Sequence, residues 1–219
     1  MRFSYWFTAV FTMILCAASF TYLFWYKPKF SAEKAAVLHA KRIEEPGAVN
    51  KLLFEKLFRK SLLAKDFVHG KHYNQKICFL IDMSIASGKP RFFVYNLRKD
   101  SVELAGLVTH GQGSAGSAEI EYSNEPGSYC TSRGRYKIGS SYYGRFGLAF
   151  KLHGLDKTNN RAYERAVVLH AHECVPDEPV YPLRICESQG CPTVSPAFLQ
   201  KLKKYIESEE KPVLLTIFN

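Results

Sequence analysis

The sequence predicts a mainly β (α+β) fold with N-terminal helices and an N-terminal transmembrane segment. Three observations carry this: an uncharged apolar run at the start, a helix-spaced leucine pattern before Gly70, and, after it, short segments rich in β-branched and aromatic residues separated by turn residues. They divide the chain into an anchor segment at residues 1–27, a helical membrane-proximal segment at 28–70 and one β-rich domain at 71–219.

The first segment sets the compartment. No charged residue stands between Arg2 and Lys27, and Phe3 to Tyr26 contains neither Gly nor Pro. A run of about 20 apolar residues is enough to cross a bilayer core. Tyr5 and Trp6 at one end and Trp25 and Tyr26 at the other have the amphipathic rings that favour the two interfaces. The competing reading is a cleavable signal peptide, for which Ala17-Ala18-Ser19 supplies the small residues. Lys27, Lys29, Lys34, Lys41 and Arg42 flank the far side, and the preference of positive charge for the cytoplasm argues for the reverse orientation. The expectation is nevertheless a cell-envelope protein. It is anchored in the cytoplasmic membrane with its folded domain outside, in the periplasm, or secreted if the signal is cleaved.

From Ser31 to about Glu45 the composition is helix-forming, and Pro46-Gly47 reads as a break. Ala48 to Phe67 then sets Leu52, Leu53, Leu57, Phe58, Leu62 and Leu63 against Lys51, Lys56, Arg59, Lys60 and Lys65, the pattern of an amphipathic helix. Strands are expected at Ile77–Met83, Arg91–Leu97, Val102–His110, Gly134–Gly139, Gly147–His153, Ala166–His172 and Val213–Phe218. Ser195 caps a further helix running through Ile206.

A hydrophobic fraction of 47% with 23% charged residues excludes wholesale disorder. The net charge of +10 implies an anionic partner. Nucleic acid is not expected, because no basic run carries interleaved aromatics and no zinc-finger spacing occurs. A wall or membrane surface fits better. The Gly111–Ser117 loop lacks the Gly-Lys-Ser/Thr that phosphate binding requires.

Two segments carry chemistry. Val167-Val168-Leu169-His170-Ala171-His172 reads as a buried strand bearing histidine, and Ser188-Gln189-Gly190-Cys191-Pro192 as a tight turn bearing a thiol at a helix start. Cysteine attacks as thiolate, and a neighbouring imidazole both takes its proton and stabilises the charge. Helix N-terminal amides would lower the thiol pKa further. Gly190 lets the backbone approach a substrate, and amides around Cys191 offer an oxyanion hole. An inert buried cysteine with a core histidine is the bland alternative.

The stretch from Ser123 to Ser195 resembles the murein L,D-transpeptidase catalytic domain family (YkuD-type), in its branch with a Ser-x-Gly-Cys-Pro signature. The matching pieces are Ser123-Asn124-Glu125-Pro126-Gly127-Ser128-Tyr129, Gly134-Arg135-Tyr136, Tyr142-Tyr143-Gly144, Gly154-Leu155-Asp156, Arg165 to His170, and Ser188 to Pro192. Weaker similarity reaches back to about Ala48. The resemblance implies a β-sandwich and an acyl transfer on peptidoglycan stem tetrapeptides through a thioester on Cys191, with His170 as base. Gly190, Ser188, His172 and Tyr143 are expected to line the oxyanion and substrate positions. No cofactor and no metal is implied. Hydrolysis by the same thioester would make it an L,D-carboxypeptidase. Ala171 where this branch has Gly, and Pro192 where the wider family has Arg, motivate a non-catalytic wall-binding module as a further alternative.

The rival chemistry is zinc, for which His170, His172, Cys174, Cys186 and Cys191 are ligand types. Apart from Cys16 and Cys191, four cysteines remain: Cys78, Cys130, Cys174 and Cys186. They allow three disulfide pairings, among them Cys174 with Cys186, or none.

Overall fold

The computed structural model describes residues 13, 15, 19–26, 46–114 and 120–219. Most of the apolar run and the whole of the helix expected from Ser31 to Glu45 lie outside these residues. Within the first unit, residues 19–26 are helical, with a π-helical turn at Tyr22–Tyr26. Among the described residues no helix is long and apolar enough to cross a membrane.

Helix α1 spans Pro46–Val68. Proline in the first helical turn lacks only an amide that would have no partner there, so Pro46-Gly47 opens this helix. Over its last three turns the buried positions are Leu57, Ser61, Ala64 and Val68, one stripe at helical spacing. Leu62 and Leu63, expected on the apolar face, are exposed instead. The stripe tolerates Ser61 because its hydroxyl donates to the Phe58 carbonyl one turn back, at 2.8 Å.

The strands are β1 (Ile77–Asp82), β2 (Phe92–Asn96), β3 (Ser101–Gly106), β4 (Gly134–Gly144), β5 (Gly147–Gly154), β6 (Val168–Ala171), β7 (Thr193–Val194) and β8 (Leu214–Phe218). They form one sheet in the order β3-β2-β1-β8-β4-β5-β6-β7. β8 lies parallel to β1 and antiparallel to β4, which places it inside the sheet. Its Leu214 and Leu215 are fully buried, as a strand with neighbours on both sides requires.

The ladder is continuous, where the expected sandwich has two separate sheets, yet it curls around a sandwich-like core. Helix α2 (Pro196–Ile206) shows how far. Phe198 meets Phe92 of β2 edge-on at 5.4 Å, and α2 also packs on β6. These strands are five ladder steps apart. Laid flat at about 4.8 Å per step they would be separated by roughly 24 Å, twice the width of a helix. The two edges are then tied directly: beyond β3, Thr109 N–H donates to the Thr193 carbonyl at 2.9 Å and Thr193 N–H to Thr109 Oγ1 at 3.1 Å. This is why the strand expected through His110 ends at Gly106. The chain leaves β2 there and crosses to β7.

Phe79, Phe92, Tyr136, Phe150, Leu152, Leu169, Phe198 and Leu202 all enter one core cluster. α2 is capped as the sequence predicts, with Ser195 Oγ accepting from Phe198 N–H at 3.2 Å and Pro196 in the first turn. It buries Phe198, Leu199 and Leu202.

Candidate active site

Strand β6 is four residues long. Leu169 faces the core, so His170, the next residue, turns to the other side, opposite Ala149 of β5 and Thr193 of β7. Phe146, in the turn between β4 and β5, stacks on the imidazole with centroids 5.0 Å apart and planes 26° apart. Nδ1 lies 3.0 Å from the Ala171 carbonyl, which can only accept, so Nδ1 carries the proton. Nε2 is therefore an acceptor, and it takes the Thr193 hydroxyl at 2.9 Å. Burial holds the His170 pKa below its ordinary value, assisted by His172 and opposed by the Ala171 carbonyl. The resting imidazole is neutral and its tautomer fixed.

Cys191 sits in the turn before β7. Gly190 supplies a positive φ of 102°, and a Cβ there would come within 2.7 Å of the Cys130 carbonyl oxygen. The Cys191 carbonyl is drawn inward by Ser188 Oγ at 2.6 Å and Thr109 Oγ1 at 3.2 Å. Ser188 is itself fastened to the crossing segment, donating through its N–H to the His110 carbonyl at 2.9 Å and accepting from Gln112 N–H at 2.7 Å. The Gly190 N–H is engaged by Ser188 Oγ at 3.1 Å. Among the described residues the Cys191 N–H has no acceptor, which leaves it available to a developing oxyanion.

The sulfur points along the start of β6. Sγ accepts from Val168 N–H at 3.5 Å, and its proton lies toward the Ala166 carbonyl at 3.8 Å. Among the described residues no hydrogen bond joins the thiol to the imidazole; Val168, which holds the sulfur, stands two residues before His170 on β6. The expected helix start at Cys191 is corrected: β7 intervenes, and the first turn of α2 belongs to Ser195 and Pro196. Cys191 therefore does not stand in the first turn of a helix. Burial pushes its pKa up, and Val168 N–H and the Arg165 guanidinium pull the other way.

The profile of the L,D-transpeptidase catalytic domain matches residues 49–215. The chain belongs to that family. Among solved structures, this family member is similar to the helical cell shape determining protein Pgp2 from Campylobacter jejuni, at 15% identity and a TM-score of 0.42, covering 65% of this chain and 47% of that one. It is similar also to an Enterococcus faecium L,D-transpeptidase, at 11% identity and a TM-score of 0.39, with 65% and 50% covered. An L,D-transpeptidase from Mycobacterium smegmatis matches at 12% identity and a TM-score of 0.39, with 66% and 59% covered. The transpeptidase-family chain thus spans roughly half the length of these structures. No curated protein matches it.

Beside the histidine a cleft of about 370 Å³ opens between Phe146, Leu148, Ala171, His172, Glu173 and Leu199. His172 lies just past β6; its N–H donates to the Val194 carbonyl at 3.0 Å, its Nδ1 accepts from Cys174 N–H at 3.1 Å, and its ring meets Phe146 edge-on. Tyr143 is 80% exposed near the tip of the β4–β5 hairpin. The residue of that hairpin that reaches His170 is Phe146. A larger groove of about 670 Å³, lined by Lys60, Phe67, Arg135, Asp156 and Phe218, contains none of the sequence-predicted site residues.

Cys174 and Cys186 are joined as a disulfide, which fixes the pairing left open by the sequence and removes two thiols from the zinc set. Cys78, Cys130 and Cys191 are free. Sequence reasoning passed over Phe146, Thr193 and Thr109, and named Arg165 only as the first residue of a matching piece, with no role. Thr193 carried a signal, being two residues from the cysteine in a β-favouring pair; the others meet the site only through the fold.

Proposed function

We propose that the chain is a membrane-tethered, exported cysteine acyltransferase that modifies peptidoglycan, with Cys191 as nucleophile and His170 as base. The observation that supports this reading is that Val168 N–H holds the Cys191 sulfur at 3.5 Å, two residues before His170 on the same strand, where the imidazole is neutral with a fixed tautomer. When a stem tetrapeptide enters, Sγ attacks the carbonyl of the L-to-D peptide bond and its proton passes to His170 Nε2 as Thr193 rotates its hydroxyl away. The oxyanion is met by the Cys191 N–H. The C–N bond breaks, the proton goes to the departing D-amino acid, and an S–C thioester remains. An incoming amine then displaces the sulfur to give a new amide, or water displaces it to give a free carboxylate.

Purified chain incubated with tetrapeptide muropeptides tests this. Loss of the terminal D-alanine, abolished by Cys191→Ser, is expected, and the mass of the product separates transfer from hydrolysis. Binding of the muropeptide without any Cys191-dependent turnover would instead mark a wall-binding module.

A further inference from the structure

Arg165 stands directly behind the nucleophile turn. Its Nη1 donates to the Ser123 carbonyl at 2.9 Å and to Ser132 Oγ at 3.2 Å, and its Nη2 donates to the Cys130 carbonyl at 2.7 Å and reaches Ser128 Oγ at 3.5 Å. All four acceptors are neutral. The nearby carboxylates are committed elsewhere, since Glu125 and Glu164 both pair with Arg161. Among the described residues no carboxylate forms an ion pair with Arg165. Its charge is thus held in place without a counter-ion.

That charge is packed against the residue before Cys191. A Cβ on Gly190 would lie 3.2 Å from Arg165 Nη2 and 2.7 Å from the Cys130 carbonyl that Nη2 holds. The other titratable groups near the thiol come from every side of it: His170 on β6 and His172 beyond it, Tyr136 on β4, His110 on the crossing segment, and the Cys130 thiol. Burial keeps His170 below its ordinary pKa, lowers His110 to about 4 and raises Tyr136 to about 12. These three are uncharged at neutral pH. Arginine keeps its proton throughout.

We propose that Arg165 supplies the positive charge that steadies the Cys191 thiolate, the part commonly assigned to the imidazolium in a cysteine–histidine pair. The inference rests on Cys191 being the nucleophile. Arg165 is a positioning residue: it touches no substrate, and it acts on the sulfur through Gly190 and the Cys130 carbonyl. The Val168 N–H supplies the one direct hydrogen bond that a thiolate keeps.

The test is the pH profile of Cys191 alkylation by iodoacetamide in the full chain, followed by the mass of the Cys191 peptide, in wild type, Arg165→Lys and Arg165→Gln. The glutamine variant is expected to raise the midpoint by about one pH unit, so that alkylation near neutrality slows roughly tenfold while the rate at high pH is retained. Lysine keeps the charge but cannot reproduce the four-point fork, so its midpoint is expected to stay near wild type. An unchanged midpoint in Arg165→Gln, or a lysine variant shifted as far as glutamine, overturns the proposal in favour of a purely structural arginine. If the glutamine variant does not fold, the lysine midpoint decides: a value near wild type supports the charge, and a rise of about one pH unit despite the retained charge overturns the proposal. A wild-type Cys191 that reacts no faster than Cys78 and Cys130 would sink the nucleophile reading instead, which keeps the two failures distinct.

Discussion

Thr193 faces His170 across the β6–β7 ladder, and its hydroxyl donates to the imidazole Nε2 at 2.9 Å. The nitrogen on which the proposed base function depends is therefore already occupied at rest. A donor to Nε2 favours the neutral ring, so its removal makes protonation easier.

Thr193→Val keeps the shape of the side chain and deletes that donor. A buried acceptor without a partner costs about 1–3 kcal/mol, and urea unfolding is expected to show a loss of this size, with Thr193→Ser largely sparing it. The His170 ring should also titrate at a higher pH in the valine variant, as read from its NMR signals. A His170 titration unmoved by the valine change would show that this hydrogen bond does not hold the ring neutral.

Acid stability follows from His110, whose Nδ1 accepts from Gly111 N–H at 3.1 Å and lies 2.9 Å from Thr131 Oγ1. Burial, with the Arg91 charge beside it, lowers its pKa from 6.5 to about 4. A folded pKa below the unfolded one means that the unfolded chain binds the extra proton first. Stability is then full above the unfolded value and falls as pH drops from 6.5 toward 4. The loss amounts to about 3 kcal/mol once pH is below both values. His170 adds a change of the same sign. Asp156, held below 3.8 chiefly by its hydrogen bond from Arg135, acts only in more acid solution. Urea midpoints at about pH 7 and about pH 5 should differ clearly in wild type and less in His110→Gln. Equal differences would exclude His110 as the source.

What the sequence makes legible is local. Strands β1, β2, β5 and β8 are short apolar runs between turn residues, and the Ser195-Pro196 start of α2 is written in two adjacent residues. His170 and Cys191 stand out for the same reason, since each sits in a compact motif. What the sequence hides is through-space. The curl of the sheet joins Thr109 to Thr193, 84 residues apart, and no periodicity records it. β4 runs to Gly144, beyond the expected Gly139, because its distal end is a two-stranded hairpin in water, where inside–outside alternation has no core to answer to. Phe146 is exposed to 51% and has the composition of a turn residue's neighbour, yet it covers His170. Arg165 reads as an ordinary arginine until the loops holding its four acceptors are folded over it.

Gly190 and Gly127 separate backbone strain from collision. Both have positive φ, but a Cβ at Gly127 meets nothing within 4 Å whereas one at Gly190 runs into the Cys130 carbonyl. Gly127→Ala is expected to cost about 1 kcal/mol, the ordinary penalty for a left-handed residue, with Cys191 alkylation unchanged. Gly190→Ala must also push Cys130 and Cys191 apart, so it should cost more and slow alkylation by about tenfold or beyond. Matching effects in the two variants would show that the turn tolerates the displacement.

The Cys174–Cys186 disulfide closes a loop with a sequence separation of 12, beside the cleft. Loop closure of this size stabilises by about 3 kcal/mol through the unfolded chain. The loop is fastened independently: Val175 and Ile185 pack on Leu107, and the N–H groups of Val180 and Tyr181 both donate to the Gly88 carbonyl. Replacing both cysteines by serine is therefore expected to lower stability by about 2–3 kcal/mol without unfolding the domain at room temperature. The thiol of Cys191 accepts from Val168 N–H and donates to the Ala166 carbonyl, both on the far side of His170 along the chain from this loop's start at Cys174. Alkylation of Cys191 should consequently keep its wild-type rate in the doubly substituted chain, measured alongside denaturant unfolding. A slowed alkylation with native stability would reverse the assignment and make the disulfide a determinant of site geometry.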